Sequence, residues 1–218
     1  LRPEDYLSQA ELEFISSLYD GCIHYADERL GELFAELRAQ GLWDSTVVVV
    51  LSDHGEEFLE HGFLLHDQGG YEELAHIQLL IKLPGSALGG VRVGSLAAMV
   101  DVFSTLAEIL RLRLPDGAQG HSLVPSILRG RAVRSEIHMY SVLRTVDRKF
   151  FSDEHRLFDL TNDPLEARNL WAGAGKEVAS LERLVRSRIA ADLAAAAQFE
   201  RRYGRGSPIE LSAEDEAR

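Results

Sequence analysis

A run of four valines that leads straight into Ser-Asp-His-Gly most constrains what this chain can fold into. The valines at positions 47–50 do not alternate with polar residues. This predicts a strand from Thr46 to Ser52 that is covered on both faces, as in a parallel α/β sheet. The segment SDHGEEFLEHG follows at once and carries acids and two histidines. The strand is therefore expected to hold polar chemistry at its carboxyl end.

Helical and strand patterns alternate around this strand. Apolar residues spaced by threes and fours predict an amphipathic helix from Ala10 to Gln40, with Gly41 as its stop. A second buried strand is expected within His76–Gly85, and an apolar helix from Val100 to Leu112. This order predicts an α/β fold with a doubly wound sheet and helices on both faces. In such sheets ligands bind at the carboxyl ends of the strands.

The composition changes after residue 134. Short strand-like pieces between Ser135 and Leu160 predict a small antiparallel sheet. A last helix is expected from Glu177 to about Arg202, followed by a frayed tail. We therefore predict two regions, residues 1–134 and residues 135–218.

Net charge and apolar runs exclude some classes of function. The chain of 218 residues carries a formal net charge of −12, which argues against non-specific nucleic-acid binding. No apolar run approaches the length of about 18 residues that a membrane span needs. The single cysteine, Cys22, cannot form an internal disulfide and is expected to be a small buried side chain on the apolar face of its helix.

Asp53 and His54 are the candidate metal ligands. A carboxylate and an imidazole together suit a divalent cation, and Gly55 lets the backbone turn so that both side chains reach one ion. Two ligands are too few for any metal, so others must come from elsewhere. The residues alone leave another interpretation open, in which Asp53 caps the next helix and His54 is a turn residue.

Longer segments resemble one enzyme family. YDGCIHYADERLGELFAELRAQGLWDSTVVVVLSDHGEEFLEHG is similar to a helix, strand and SDHG motif of the sulfatase family, within the alkaline-phosphatase-like superfamily. The resemblance continues in family order through HDQGGYEELAHIQLLIKLPG, VDVFSTLAEILRL, DGAQGHSLVPSILRG and HRLFDLTNDPLEARNL. It spans roughly residues 10–171, and the ordered series is far more specific than any one motif. Gln78 departs from the family, which usually has proline there.

The resemblance implies roles for three residues and a metal-dependent sulfuric ester hydrolase. Asp53 and His54 match family ligands of the active-site metal, usually Ca²⁺, with Mn²⁺ or Zn²⁺ expected if the chemistry is phosphoryl transfer. His66 stands where the family has a lysine or histidine that binds sulfate oxygens and assists the leaving group. The implied substrate is a sulfate ester of a small molecule or glycan. Residues 1–134 would then be the later part of the catalytic α/β domain.

Neighbouring polar residues receive weaker assignments. His61 also matches a family position, and we expect it to support the site rather than to bind the metal. Tyr71 and Glu72 are expected to serve packing and hydrogen bonding. The glutamates of this segment are interpreted as a solvated acidic edge; they are Glu56, Glu57 and Glu60.

The nucleophile motif of the family is not in this sequence. Sulfatases carry Cys/Ser-x-Pro/Ala-x-Arg, whose first residue becomes formylglycine, and neither that motif nor the upstream acidic ligands occurs here. We therefore expect the back part of a longer enzyme, inactive by itself. Two alternatives stay open: a phosphoryl or phosphonate ester hydrolase or transferase of the same superfamily, and a truncated non-catalytic domain. A homo-oligomer is compatible with the sequence, and the composition suggests a bacterial protein, periplasmic, secreted or cytoplasmic.

Overall fold

The computed structural model describes residues 7–66, 69–139 and 141–204. Contacts divide the chain into two compact units, one of residues 1–94 with 164–166, the other of residues 95–163 with 167–218. The sequence-based boundary after residue 134 refers to regions of the family and stays a prediction. Among the described helices, none combines the length and the apolar character that crossing a bilayer requires.

The first unit begins with the long helix α1, Gln9–Ala39. Ser8 and Glu11 form a reciprocal capping box, in which each side chain accepts a hydrogen bond from the other residue's backbone N–H. Gly41 follows the helix with φ of +70°, a left-handed conformation that favours glycine. The predicted helix and its stop are confirmed.

Helix α1 is less buried than its apolar stripe predicts. None of its residues is buried by the part of the chain that the structure describes, and Leu18 and Leu33 are more than half exposed. Cys22 is exposed as well, so the prediction of a buried cysteine is wrong for this structure. An apolar stripe predicts which face of a helix is suited to burial, but burial also needs a second surface to cover that face.

The valine strand is β1, Val48–Leu51, and it is followed by the two-residue strands β2, Glu57–Phe58, and β3, Leu64–Leu65. The short helix α2, Glu72–Ala75, then leads into β4, Leu79–Lys82.

Strands β1 and β4 pair in antiparallel register, with Val48 opposite Lys82 and Leu51 opposite Leu79. The predicted parallel pairing is therefore wrong for these two strands. The predicted burial of both strands is also not seen among the described residues, where Leu51 is 38% and Leu80 is 60% exposed. An uninterrupted apolar run predicts a covered strand, but it encodes neither the surface that covers it nor its direction. Here the connection is the β2–β3 hairpin with α2, which returns the chain alongside β1 without a crossover helix.

The second unit contains helix α3, Val100–Ile109, and helix α4, Val124–Arg129. Its sheet has four strands: β5, Glu136–Met139; β6, Val142–Thr145; β7, Arg148–Phe151; and β8, Arg156–Asp159. They pair in sequence order and all antiparallel, which confirms the small C-terminal antiparallel sheet. The last helix is α5, Gly175–Tyr203, close to its predicted bounds. The predicted frayed tail falls almost wholly on residues 205–218, outside the described residues.

The core of this second unit lies between the sheet and α5. Leu143, Phe150 and Leu157 come from three adjacent strands, and Val178 and Val185 come from the helix. All five are at least nine-tenths buried. Burying a side chain of this size stabilises a fold by about 1.5–3 kcal/mol, so this cluster holds α5 against the sheet.

Candidate functional site

The turn after β1 is built around a close backbone contact at Gly55. The Gly55 N–H donates to the Leu74 carbonyl at 2.9 Å, and a Cβ at Gly55 would lie 1.8 Å from the Glu73 carbonyl oxygen. No side chain fits there, so glycine is required by space. The Ser52 hydroxyl donates to the His54 carbonyl at 2.5 Å and holds the other end of the turn. The turn that carries Asp53 and His54 is therefore fixed to α2.

Asp53 and His54 present two donor atoms that suit one cation. Nδ1 of His54 lies 2.8 Å from the Gly55 carbonyl, so the ring proton sits on Nδ1 and leaves the Nε2 lone pair free. That Nε2 lies 3.7 Å from Oδ1 of Asp53. Two ligands at right angles around a calcium ion stand about 3.4 Å apart. The two residues therefore fit a shared divalent ion.

The open position of Asp53 distinguishes it from a buried structural acid. Its side chain is 82% exposed, and its Oδ1 accepts a local hydrogen bond from the His54 N–H at 3.1 Å. The alternative in which Asp53 caps a following helix is wrong, because residues 54–58 form a turn and the short strand β2. Its assignment as a metal ligand stays a prediction.

His66 lies directly against His54. The two rings stack with centroids 4.1 Å apart and planes 24° apart. Nδ1 of His66 is 3.2 Å from Oε2 of Glu56, which leaves Nε2 for another partner. One ligand atom from each of His54, Glu56 and His66 lies within 4.8 Å of the others. The structure thus brings together the two histidines that the sequence analysis selected and adds Glu56, whose carboxylate holds the His66 ring. The assignment of Glu56 to a solvated edge is wrong, because its side chain is only 13% exposed.

A second group of acids and imidazole lies on the same unit. Glu57 is 0% exposed, so its assignment to a solvated edge is wrong. One ligand atom from each of Glu57, His61 and Glu73 lies within 4.8 Å of the others. Burial, followed by the negative charge of Glu73, raises the pKa of Glu57 to about 7.

The ring of His61 is held from three directions. It stacks on Tyr71 with centroids 3.6 Å apart, places Nδ1 2.5 Å from Oε1 of Glu73, and places Nε2 3.4 Å from the Glu166 carbonyl. The Glu166 carboxylate accepts from the Glu72 N–H at 2.6 Å. The expected packing role of Tyr71 is consistent with its complete burial.

Sequence reasoning missed Glu73 and Glu166 as parts of this group. Glu73 follows the Tyr-Glu pair and points inward because α2 turns about the fully buried Tyr71. Glu166 stands in the segment NDPLEARNL, which the family resemblance had marked only as a motif. Its φ of +53°, in a residue other than glycine, was a structural signal that no sequence pattern carries.

Comparisons with known proteins agree with the sequence resemblance. The pattern described as "Sulfatase" matches residues 7–112. Arylsulfatase K of Bos taurus is 31% identical over 222 residues, a match that covers 86% of this chain and 41% of that protein. The chain therefore spans about two fifths of the length of this relative.

Two solved structures share the fold. The phosphonate monoester hydrolase of Agrobacterium radiobacter is 25% identical with a TM-score of 0.66, over 88% of this chain and 43% of that one. A 2-O GAG sulfatase is 20% identical with a TM-score of 0.64, over 76% of this chain and 40% of that one. The predicted fold class, part of an alkaline-phosphatase-like α/β sheet with a small antiparallel sheet after it, is confirmed by these likenesses.

Proposed function

Because the chain belongs to the sulfatase family, we propose that the intact protein is a metal-dependent hydrolase of sulfate esters. The observation that carries the proposal is the stacking of His66 on His54 at the end of β1, beside the exposed carboxylate of Asp53. Proteins of this family generally use a divalent metal and a formylglycine nucleophile. The nucleophile motif does not occur in this sequence and would come from elsewhere in the intact protein.

Asp53 and His54 would hold the ion through Oδ1 and Nε2, with further ligands from outside this chain. A bound divalent ion supplies Lewis acidity that neutralises charge on the sulfate oxygens. Ca²⁺ is the ion we propose, with Mn²⁺ or Zn²⁺ if the intact protein handles phosphorus. The Gly55 contact with α2 keeps the two ligands in place.

His66 would act on the leaving group. Its Nδ1 faces Glu56, which fixes the ring, while Nε2 remains available to substrate. When the S–O ester bond breaks, His66 donates its Nε2 proton to the departing alcohol oxygen. Because the side chain is 45% exposed, an ester can reach it.

The substrate class we propose is a sulfated sugar. One structural relative is named a 2-O GAG sulfatase. The side chains of Asp53 and His66 are 82% and 45% exposed, which leaves room for a bulky glycan. A bacterial source and its compartment remain proposals from composition alone.

The test uses the intact protein with a substrate panel of aryl sulfate, glucosamine sulfates and a phosphonate monoester. We expect sulfate release that is abolished by EDTA and restored by Ca²⁺. Asp53→Asn should raise the metal concentration needed for half-maximal activity about tenfold or more. Asp44→Asn, at an exposed aspartate before β1, is the matched control and should change nothing.

A second candidate function is phosphonate or phosphoryl ester hydrolysis. The observation that favours it is the 25% identity to a phosphonate monoester hydrolase over 88% of this chain. Turnover of the phosphonate ester without sulfate release would replace the first proposal with this one. Failure with every ester, in a protein whose nucleophile is modified, would leave the non-catalytic alternative.

A further inference from the structure

Glu57 is a buried carboxylate without a donor. Its side chain is fully enclosed, and neither carboxylate oxygen receives a hydrogen bond from a donor among the described residues. A buried carboxylate normally accepts several hydrogen bonds or faces a positive charge, because the loss of water is otherwise strongly unfavourable. The described residues therefore supply no donor that would compensate Glu57 for the loss of water.

The atoms that surround Glu57 are themselves metal-binding groups. Glu73 contributes a second carboxylate and His61 an imidazole, and one ligand atom of each lies within 4.8 Å of the others. Two carboxylates facing one imidazole leave the group with excess negative charge.

We propose that Glu57, His61 and Glu73 bind a divalent transition-metal ion, of the Zn²⁺ or Mn²⁺ class, in addition to the ion at Asp53 and His54. A set of two carboxylates and one imidazole suits these ions. Ligands 2.0–2.1 Å from a tetrahedral zinc ion stand about 3.4 Å apart, which is within the span of this group. The inference does not depend on the proposed reaction, since it concerns different side chains.

The tautomer of His61 agrees with this arrangement. Its Nε2 faces the Glu166 carbonyl, so an N–H there donates to that oxygen and leaves the Nδ1 lone pair toward Glu73. Nδ1 and Oε1 of Glu73 are 2.5 Å apart, a distance that a shared proton occupies. An ion replaces that proton when the two atoms separate by about 1 Å. The backbone carbonyl then serves as the outer partner that orients a ligating histidine.

The ion has a path to the group. Glu57 is enclosed, but the side chains of His61 and Glu73 are 13% and 16% exposed. They form the side from which an ion reaches Glu57. The stack of His61 on Tyr71 keeps the imidazole in place without occupying its nitrogen atoms.

The test measures metal stoichiometry in the intact protein after chelation and reloading with Zn²⁺, by elemental analysis and calorimetric titration. We expect two ions per chain in the unaltered protein. Glu57→Gln should lower the stoichiometry to one, or weaken the affinity of one site at least about tenfold. Glu60→Gln, at an exposed glutamate of the same segment, is the matched control and should retain two ions.

The variant Asp53→Asn tests the proposed site of Glu57, His61 and Glu73 without changing any of its three ligands. Asp53 is exposed, so this variant is expected to fold, to lose the ion at the end of β1 and to retain one Zn²⁺ that raises its Tm. If Asp53→Asn binds no Zn²⁺, or if Glu57→Gln retains the full stoichiometry, the proposal is overturned and a proton occupies the group. Two ions in a protein that releases no sulfate would leave this inference standing while the proposed function fails.

Discussion

The rings of His54 and His66 stack with centroids 4.1 Å apart, although a hairpin separates the two residues in the chain. The contact places His54, the proposed metal ligand, against His66, the proposed general acid. Both rings are also held by neighbouring groups, that of His54 by the Gly55 carbonyl and that of His66 by Glu56.

His66→Gln should lower kcat in the intact protein by about 10²–10⁴, because the variant cannot protonate a departing alcohol. The loss should be large for sugar sulfates and small for p-nitrophenyl sulfate, whose leaving group needs no proton. Steady-state kinetics on both esters measures the difference. His76→Gln is the control, since His76 is 77% exposed and belongs to neither of the two groups of acids and histidines described above. An equal loss on both esters would contradict an acid role for His66.

Gly55→Ala should destabilise the fold by about 1–3 kcal/mol, because the new Cβ meets the Glu73 carbonyl at 1.8 Å. Denaturant unfolding measures the change. In the intact protein the metal affinity should fall as well, since the turn carrying Asp53 and His54 must move. Gly31→Ala in α1 is the control: nothing lies within 4 Å of its Cβ, and the helix should gain up to about 1 kcal/mol. Equal effects of the two substitutions would argue against a steric role for Gly55.

Asp101→Asn should destabilise the second unit by about 3–5 kcal/mol. Asp101 is fully buried and accepts two hydrogen bonds from Arg134, whose side chain is only 16% exposed and loses its charged partner in the variant. Thermal or urea unfolding measures the loss. Asp116→Asn is the matched control, because its ion pair with Arg202 is exposed and should contribute at most about 1 kcal/mol. A loss of under 1 kcal/mol for Asp101→Asn would show that the buried pair contributes little.

Acid should weaken the same unit through Asp101. Burial alone would raise the pKa of this carboxyl, but hydrogen bonds from Arg134 and from the His121 and Ala98 N–H groups outweigh it and lower the pKa. The folded state then binds fewer protons than the unfolded state. The stabilisation is therefore present above the ordinary pKa of 3.8 and is lost as the pH falls through the folded-state value. Urea unfolding between pH 5 and pH 2, at about half-unit steps, should show a shallower decline for Asp101→Asn.

Phe150→Ala should cost about 3–5 kcal/mol, because Phe150 is completely buried between the sheet and α5 and stacks on Trp171. Val146→Ala, 67% exposed at the neighbouring turn, should stay within about 0.5 kcal/mol. Circular dichroism melts of both variants test the prediction. A small loss at Phe150 would mean that α5 repacks over the cavity.

Short windows of sequence predicted the helix α1 and the antiparallel strands β5 to β8. Helix α1 follows from its apolar spacing, and the antiparallel strands β5 to β8 follow from short strand-like pieces of sequence. The direction of β4 against β1 did not follow, because it depends on the path of the intervening connection.

The sequence analysis also failed to predict that a charged residue would be buried. Glu57 was assigned to solvent by its chemistry, yet the β2–β3 hairpin turns it inward toward His61 and Glu73. The His61 ring of that group also contacts the Glu166 carbonyl, and no window of sequence around residue 57 contains Glu166. The proposed ligands Asp53 and His54 could be selected in advance because they follow a strand end, where the position itself points to chemistry.

The contact with Glu166 means that the group around Glu57 cannot be completed until late in translation. It contacts His61 and Glu72 within the first unit, but residues 95–163 must be translated before it exists. At 5–20 residues per second, the ribosome needs roughly 3–14 seconds to add them. For that interval, residues 1–94 are present without the segment that completes them. During that stage Glu57, His61 and Glu73 are present without their contact from Glu166. The order of translation therefore sets the earliest time at which the contacts of this unit can all form.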